Sequence, residues 1–105
     1  MKQKLVLSTQ EAVDAINDTG VTEWAGSHVR KVEMGAQHDT VVVHLNDEHF
    51  PTYTMTGWML LEAFNEYADE MTWQVTRGYL HDLDFDAETA DSIIQTAVYG
   101  EVKFA

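Results

Sequence analysis

Apolar positions along the chain change period several times, and each change marks an element. Leu5-Val6-Leu7 is a three-residue apolar run, read as a short strand or a buried lead-in. Ser8 and Glu11 then stand at capping-box spacing, and Ala12, Val13 and Ile16 recur every three or four residues, so a helix is expected over residues 9–18, closed by Gly20. Three segments rich in β-branched and aromatic residues follow, at 29–34, 40–45 and 50–55, separated by polar turns. Alternation assigns Val32 and Met34, then Val41, Val43 and Leu45, then Tyr53 and Met55 to core-facing positions. The expectation is a three-stranded antiparallel meander. Pro51 donates nothing to a ladder, which puts it at the start of its strand or at an edge.

The period returns to helical after Thr56, an N-cap residue. Leu60, Phe64, Tyr67 and Met71 form one stripe, which predicts a long helix over 57–71. A short strand is expected at 72–76, a turn at Arg77-Gly78, and a last helix from an Asp86 cap through Tyr99 to Gly100. Val102 and Phe104 alternate as a terminal strand would. Helices and strands are segregated rather than interleaved, and no repeat or linker divides the chain. The predicted fold is therefore a single α+β domain spanning 1–105: a small antiparallel sheet, a three-stranded meander with terminal strands added, packed against three helices.

Composition supports a folded chain, since 45% of the residues are hydrophobic, three are tryptophan and one is proline. A chain of this length buries roughly 60–70% of the surface its unfolded form exposes. The absence of cysteine removes disulfides, thiolate nucleophiles and sulfur-ligated zinc. Apolar runs are too short for a secretory signal or a membrane span, so a cytoplasmic location and no membrane partner are expected.

Charge is the unusual property. Eighteen acidic residues face six basic ones, a net charge of −12. Direct nucleic-acid binding needs Lys and Arg on the phosphates, so a basic protein surface is the expected partner. The excess is uneven: residues 1–55 hold eight acids and four bases, and residues 56–105 hold ten and two. Glu62, Glu66 and Glu70 recur at four-residue spacing with Asp69 beside them, and no lysine relieves them. Such like-charge pairs cost about 0.2–0.5 kcal/mol each in an isolated helix. A face that costs stability is a candidate binding face, because a concentrated field speeds encounter with an opposite charge. Trp58 borders it, and aromatic residues beside charge are common interface anchors. Trp58, Glu62, Glu66, Asp69 and Glu70 are thus the candidate site.

A narrower form of this reading is an inhibitor of a nucleic-acid-binding protein, of the type phages carry, including some anti-CRISPR proteins. That likeness rests on size, charge and architecture, with no residue motif behind it. Mimicry would be partial. One acid per helical turn is about one per 6 Å of axis, against one charge per about 1.7 Å of duplex DNA.

Two motifs come close to metal chemistry and miss it. Asp82-Leu83-Asp84-Phe85-Asp86 starts like a calcium loop, but Ala87 stands where the turn needs glycine and Ile93 where a bidentate glutamate belongs. His44-Leu45-Asn46-Asp47-Glu48-His49 is one residue too long for the H-x-x-E-H zinc pattern and lies in an expected hairpin rather than a helix. No metal or other cofactor is assigned. A rival reading makes the chain a small enzyme or ligand-binding domain using His44, Asp47 and His49, or Asp82, Asp84 and Asp86. His28, His38 and His81 are dispersed and no glycine-rich phosphate loop is present, so the sequence assigns no catalytic residue and leans toward a non-catalytic protein. Trp24, Trp58 and Trp73 exceed what a small core hides, which adds self-association through an uncharged patch as a further expectation.

Overall fold

The computed structural model describes residues 4–104. The fold is α+β, with three α-helices, a three-stranded antiparallel sheet and a separate two-stranded ribbon. Helix α1 (Thr9–Asp18) begins as its capping box dictates: the Ser8 hydroxyl accepts from Glu11 N–H at 3.1 Å, and the Glu11 carboxylate accepts from Ser8 N–H at 2.9 Å. Ala12, Val13 and Ile16 form its buried stripe. The chain then leaves through Gly20, whose φ of 75° is left-handed, into a 3-10 turn at Val21–Glu23.

Strands β1 (Val29–Met34), β2 (Thr40–Leu45) and β3 (Thr52–Thr56) pair in that order, as the meander requires. Val32 sits opposite Val43 and Val43 opposite Tyr53, which lays one continuous apolar row across the sheet. Strand β1 is irregular between Val29 and Lys31, where one extra residue, Arg30, is accommodated. Helix α1 packs on β1 and β2, while α2 (Gly57–Glu66) and α3 (Ala87–Tyr99) pack against each other and on β3. Val41, Val43, Leu60, Phe64, Ile93 and Ile94 meet at the centre, fully enclosed.

Helix α2 ends at Glu66, five residues short of the predicted length, and a 3-10 turn at Ala68–Glu70 follows. Tyr67 has left helical geometry, at φ −108° and ψ 14°. Asn65 anchors this end of the helix. Its carboxamide accepts from Leu5 N–H at 2.8 Å and donates to Leu5 C=O at 3.2 Å, so the last turn of the helix is tied to a segment sixty positions away. Leu5 is accordingly a buried lead-in and not a strand. The expected terminal strand at Val102 and Phe104 is likewise absent, since residues 102–104 have no regular structure and are held by a side chain.

Strands β4 (Thr72–Thr76) and β5 (Tyr79–Asp84) form the ribbon. Arg77 and Gly78 both have positive φ, 54° and 80°, which matches the strand twist in a two-residue hairpin. Trp73, Leu80 and Leu83 turn toward the main core, and Thr72, Gln74, Tyr79 and His81 face out.

Gly57 is placed where α1, α2 and the β1–β2 turn converge. A Cβ there would run into the Thr9 hydroxyl and come within 2.7 Å of the Asp39 carboxylate, two groups already hydrogen-bonded to each other. Gly57→Ala is therefore expected to destabilise the fold by about 1–3 kcal/mol despite the better helix propensity of alanine, read as a lower urea midpoint at unchanged m-value.

Candidate functional site

The candidate acidic face lies open to solvent. Trp58, in the first turn of α2, is 65% exposed, and Glu62 and Glu66 follow it at successive four-residue steps on the same side. Asp69 and Glu70 are also exposed, but they stand on the 3-10 turn beyond the helix and not on α2 itself. The four-residue stripe is thus two carboxylates on a helix and two more on the next turn. Among the described residues no ion pair involves any of the four.

A second acidic region joins elements that the sequence separates widely. Glu11, Asp14 and Asp18 along α1 face Asp82 and Asp84 of β5 across a groove of about 310 Å³ whose floor includes Leu7, Leu80 and Phe85. Its carboxylates are spread out: Glu11 serves the helix cap, Asp14 accepts from the Gln10 carboxamide, and Asp82 meets His81 Nδ1 at 3.0 Å. Among the described residues no three His, Asp or Glu side chains stand close enough to hold a metal ion. The groove supplies a field and not a coordination sphere.

The two rival clusters are separated by what each member does. His44, on the outer sheet face, has its Nε2 2.6 Å from Glu33 on the neighbouring strand, with Lys31 3.6 Å from the same carboxylate. These contacts, His44 foremost, hold the Glu33 carboxyl below its ordinary range. Asp47 organises its own loop, accepting from His49 N–H at 2.9 Å and Phe50 N–H at 3.3 Å, while the His49 side chain is exposed. Asp86 caps α3 by accepting from Thr89 N–H at 2.8 Å, the main reason its carboxyl sits below the usual value. Its carboxylate is thereby committed to the helix cap.

Asp47 also binds Tyr99 of α3, whose hydroxyl donates to its carboxylate at 2.6 Å. Burial, followed by the Asp47 carboxylate, pushes the Tyr99 hydroxyl up to about 12, and the same bond is the main cause lowering Asp47. The signs follow from linkage. The Tyr99 contribution is complete below the ordinary tyrosine value near 10 and is lost as pH rises through about 12. The Asp47 contribution holds above 3.8 and is lost as pH falls through its depressed folded value. In an absorbance titration at alkaline pH, Tyr99 is expected to ionise near pH 12. Loss of that high-pH step in Tyr99→Phe checks the assignment.

Sequence reasoning missed a polar cluster behind Tyr99. Asp91 and Gln95, both buried, form it. The Asp91 carboxylate accepts from His28 N–H at 3.0 Å and from the Gln95 carboxamide at 2.7 Å. Their four-residue spacing on a helix was visible, but their burial was not, because a carboxylate and a carboxamide one turn apart normally mark a solvent face.

A small basic area completes the surface. Arg30, Lys31, His44, Pro51 and Thr52 line a depression of about 350 Å³ on the outer face of the sheet. No protein family matches the chain, and no curated protein or solved structure is detectably similar to it. No helix among the described residues is long and apolar enough to cross a membrane.

Proposed function

We propose that the chain is a non-catalytic interaction protein that docks on a basic surface of another cytoplasmic protein through Trp58, Glu62, Glu66, Asp69 and Glu70. The observation carrying this reading is the pairing of an indole 65% exposed with neighbouring carboxylates that make no ion pair among the described residues. A large apolar side chain in water and unrelieved like charges are both unfavourable in the free chain. Both are relieved when an arginine- or lysine-bearing surface covers them.

The test is binding to a panel of basic cytoplasmic proteins at increasing salt. Affinity is expected to fall with salt, and Glu62→Lys with Glu66→Lys and Glu70→Lys to weaken it at least tenfold. Trp58→Ala is expected to cost about 2 kcal/mol of binding with an unchanged unfolding midpoint. Affinity indifferent to both salt and charge reversal sinks the proposal.

The carboxylates around the α1–β5 groove favour one narrower form, inhibition of a nucleic-acid-binding protein, because they extend the negative field to a second pair of elements. Competition with duplex DNA for the captured partner separates that form from ordinary protein binding.

A further inference from the structure

The segment after α3 is held in an unusual way. Gly100, at φ 82°, ends the helix and turns the chain back along it. Residues 101–104 then run without joining any sheet, and the Gln95 side chain takes the place of a neighbouring strand. Its oxygen accepts from Lys103 N–H at 2.9 Å and Phe104 N–H at 2.7 Å, and its nitrogen donates to Phe104 C=O at 2.9 Å. The second N–H of that nitrogen goes to Asp91. Because a carboxylate only accepts, Asp91 fixes which end of the carboxamide faces the backbone of 103–104.

Side chains complete the seat. The Phe104 ring lies 4.7 Å from His28 and 5.8 Å from Tyr99, and Lys103 Nζ stands 5.1 Å over the Tyr99 ring, within cation–π reach. Parts of the walls are anchored by bonds that do not involve the segment they hold. His28 is fixed by its N–H to Asp91 and its C=O to Asn46 N–H at 2.8 Å, and Tyr99 by Asp47. Part of the seat is thus held by bonds that do not involve the segment, and the occupant displays the chemistry the seat accepts: two consecutive N–H groups converging on one carboxamide oxygen, a cation over one ring, an aromatic side chain between two others.

We propose that this groove is a peptide-binding site which residues 103–104 occupy in cis, and that it takes in trans a partner segment carrying Lys or Arg followed by an aromatic residue, its two N–H groups on the Gln95 oxygen in the same way. The mode is backbone capture with side-chain anchors. The chain's net charge of −12 draws a cationic segment toward it. A short tether gives the cis segment an effective concentration on the order of millimolar, so an incoming peptide competes poorly until the tether's own anchor is weakened. The site is separate from the α2 face, so reversing Glu62, Glu66 and Glu70 leaves its local contacts in place and the two proposals fail independently.

The test uses the full chain, isotope-labelled, and a synthetic peptide of residues 101–105. In Phe104→Ala the peptide is expected to give saturable shifts at the Gln95 side-chain amide, His28 and Tyr99, with a dissociation constant roughly tenfold or more below that for the unaltered chain. Peptides carrying Lys103→Glu or Phe104→Ala should bind roughly tenfold more weakly than the unaltered peptide. In the unaltered chain, Lys103 and Phe104 amides should exchange with solvent at least about 100-fold faster than those of Ile93 and Ile94, reporting local opening. Exchange of all four only through global unfolding overturns the proposal even if Phe104→Ala fails to fold. So does the absence of saturable shifts in Phe104→Ala at peptide concentrations several times the millimolar effective concentration of the tether. A dimer in which the segment crosses to a second copy also overturns it.

Discussion

Phe64→Ala is expected to be the most damaging single truncation, lowering stability by about 3–5 kcal/mol. The ring has no exposed surface and meets Phe85 edge-on, with centroids 5.6 Å apart and planes at 87°. It stands on α2, which packs on both α1 and α3, so the void opens where three helices converge and none is free to collapse into it. Domains of this size have about 5–15 kcal/mol of stability in total, so the variant should lose roughly a fifth or more of it. At roughly 4–8 °C per kcal/mol, the melting temperature should drop by more than about 10 °C. Phe85→Ala is the internal control. Phe85 retains partial exposure and loses the same edge contact with a smaller void, so its cost should be clearly lower. Equal losses in the two variants would show that the core is not centred on α2.

The stripe containing Phe64 was legible because helix and strand periods depend on nearest neighbours. The same holds for Ser8 with Glu11, for the Thr56 and Asp86 caps, for the alternation of Val41, Val43 and Leu45, and for Gly100. What the pattern hid were interactions across long sequence separations. Tyr67 and Met71 continue the apolar spacing of α2, yet the helix stops before them, at the turn that Asn65 ties to Leu5. Segments 5–7 and 102–104 both carry apolar residues in strand-like order, yet each is held by a side-chain carboxamide, Asn65 on α2 and Gln95 on α3. A carboxamide offers one donor end and one acceptor end, as a peptide group does. It can hold a backbone without a second strand, and no periodicity announces it.

The same limit governs the candidate site. Exposure of Trp58 and of the α2 acids followed from helical phase, because positions outside a buried stripe face water. The groove between α1 and β5 did not, since Glu11, Asp14 and Asp18 are some seventy positions from Asp82 and Asp84 and only folding brings them together. The pairing of His44 with Glu33 lies between these cases. Once β1 and β2 are paired, His44 stands opposite Lys31 and one diagonal step from Glu33.

Gln95 carries the second large effect, and its sign depends on what replaces it. Gln95→Leu keeps the volume and removes every bond of the carboxamide. Lys103 and Phe104 can turn to water, but Asp91 is only 5% exposed and loses its Gln95 donor. The cost should be about 2–4 kcal/mol, most of it from the under-bonded carboxylate. Gln95→Glu distinguishes this cause from simple loss of packing. When protonated, the introduced carboxyl can donate to Asp91 and still accept from the backbone of 103–104, losing only the bond to Phe104 C=O. When ionised, it sets two carboxylates at the 2.7 Å spacing now bridged by an N–H. The folded state therefore holds the extra proton more tightly than the unfolded chain, and the variant should be nearest to the parent at about pH 4. Its deficit should then grow as pH rises, by about 1.4 kcal/mol for each unit by which folding raises that carboxyl. Urea unfolding at pH 4, 5.5 and 7 checks this. A deficit that does not change with pH would place the cost in packing and remove Asp91 from the account.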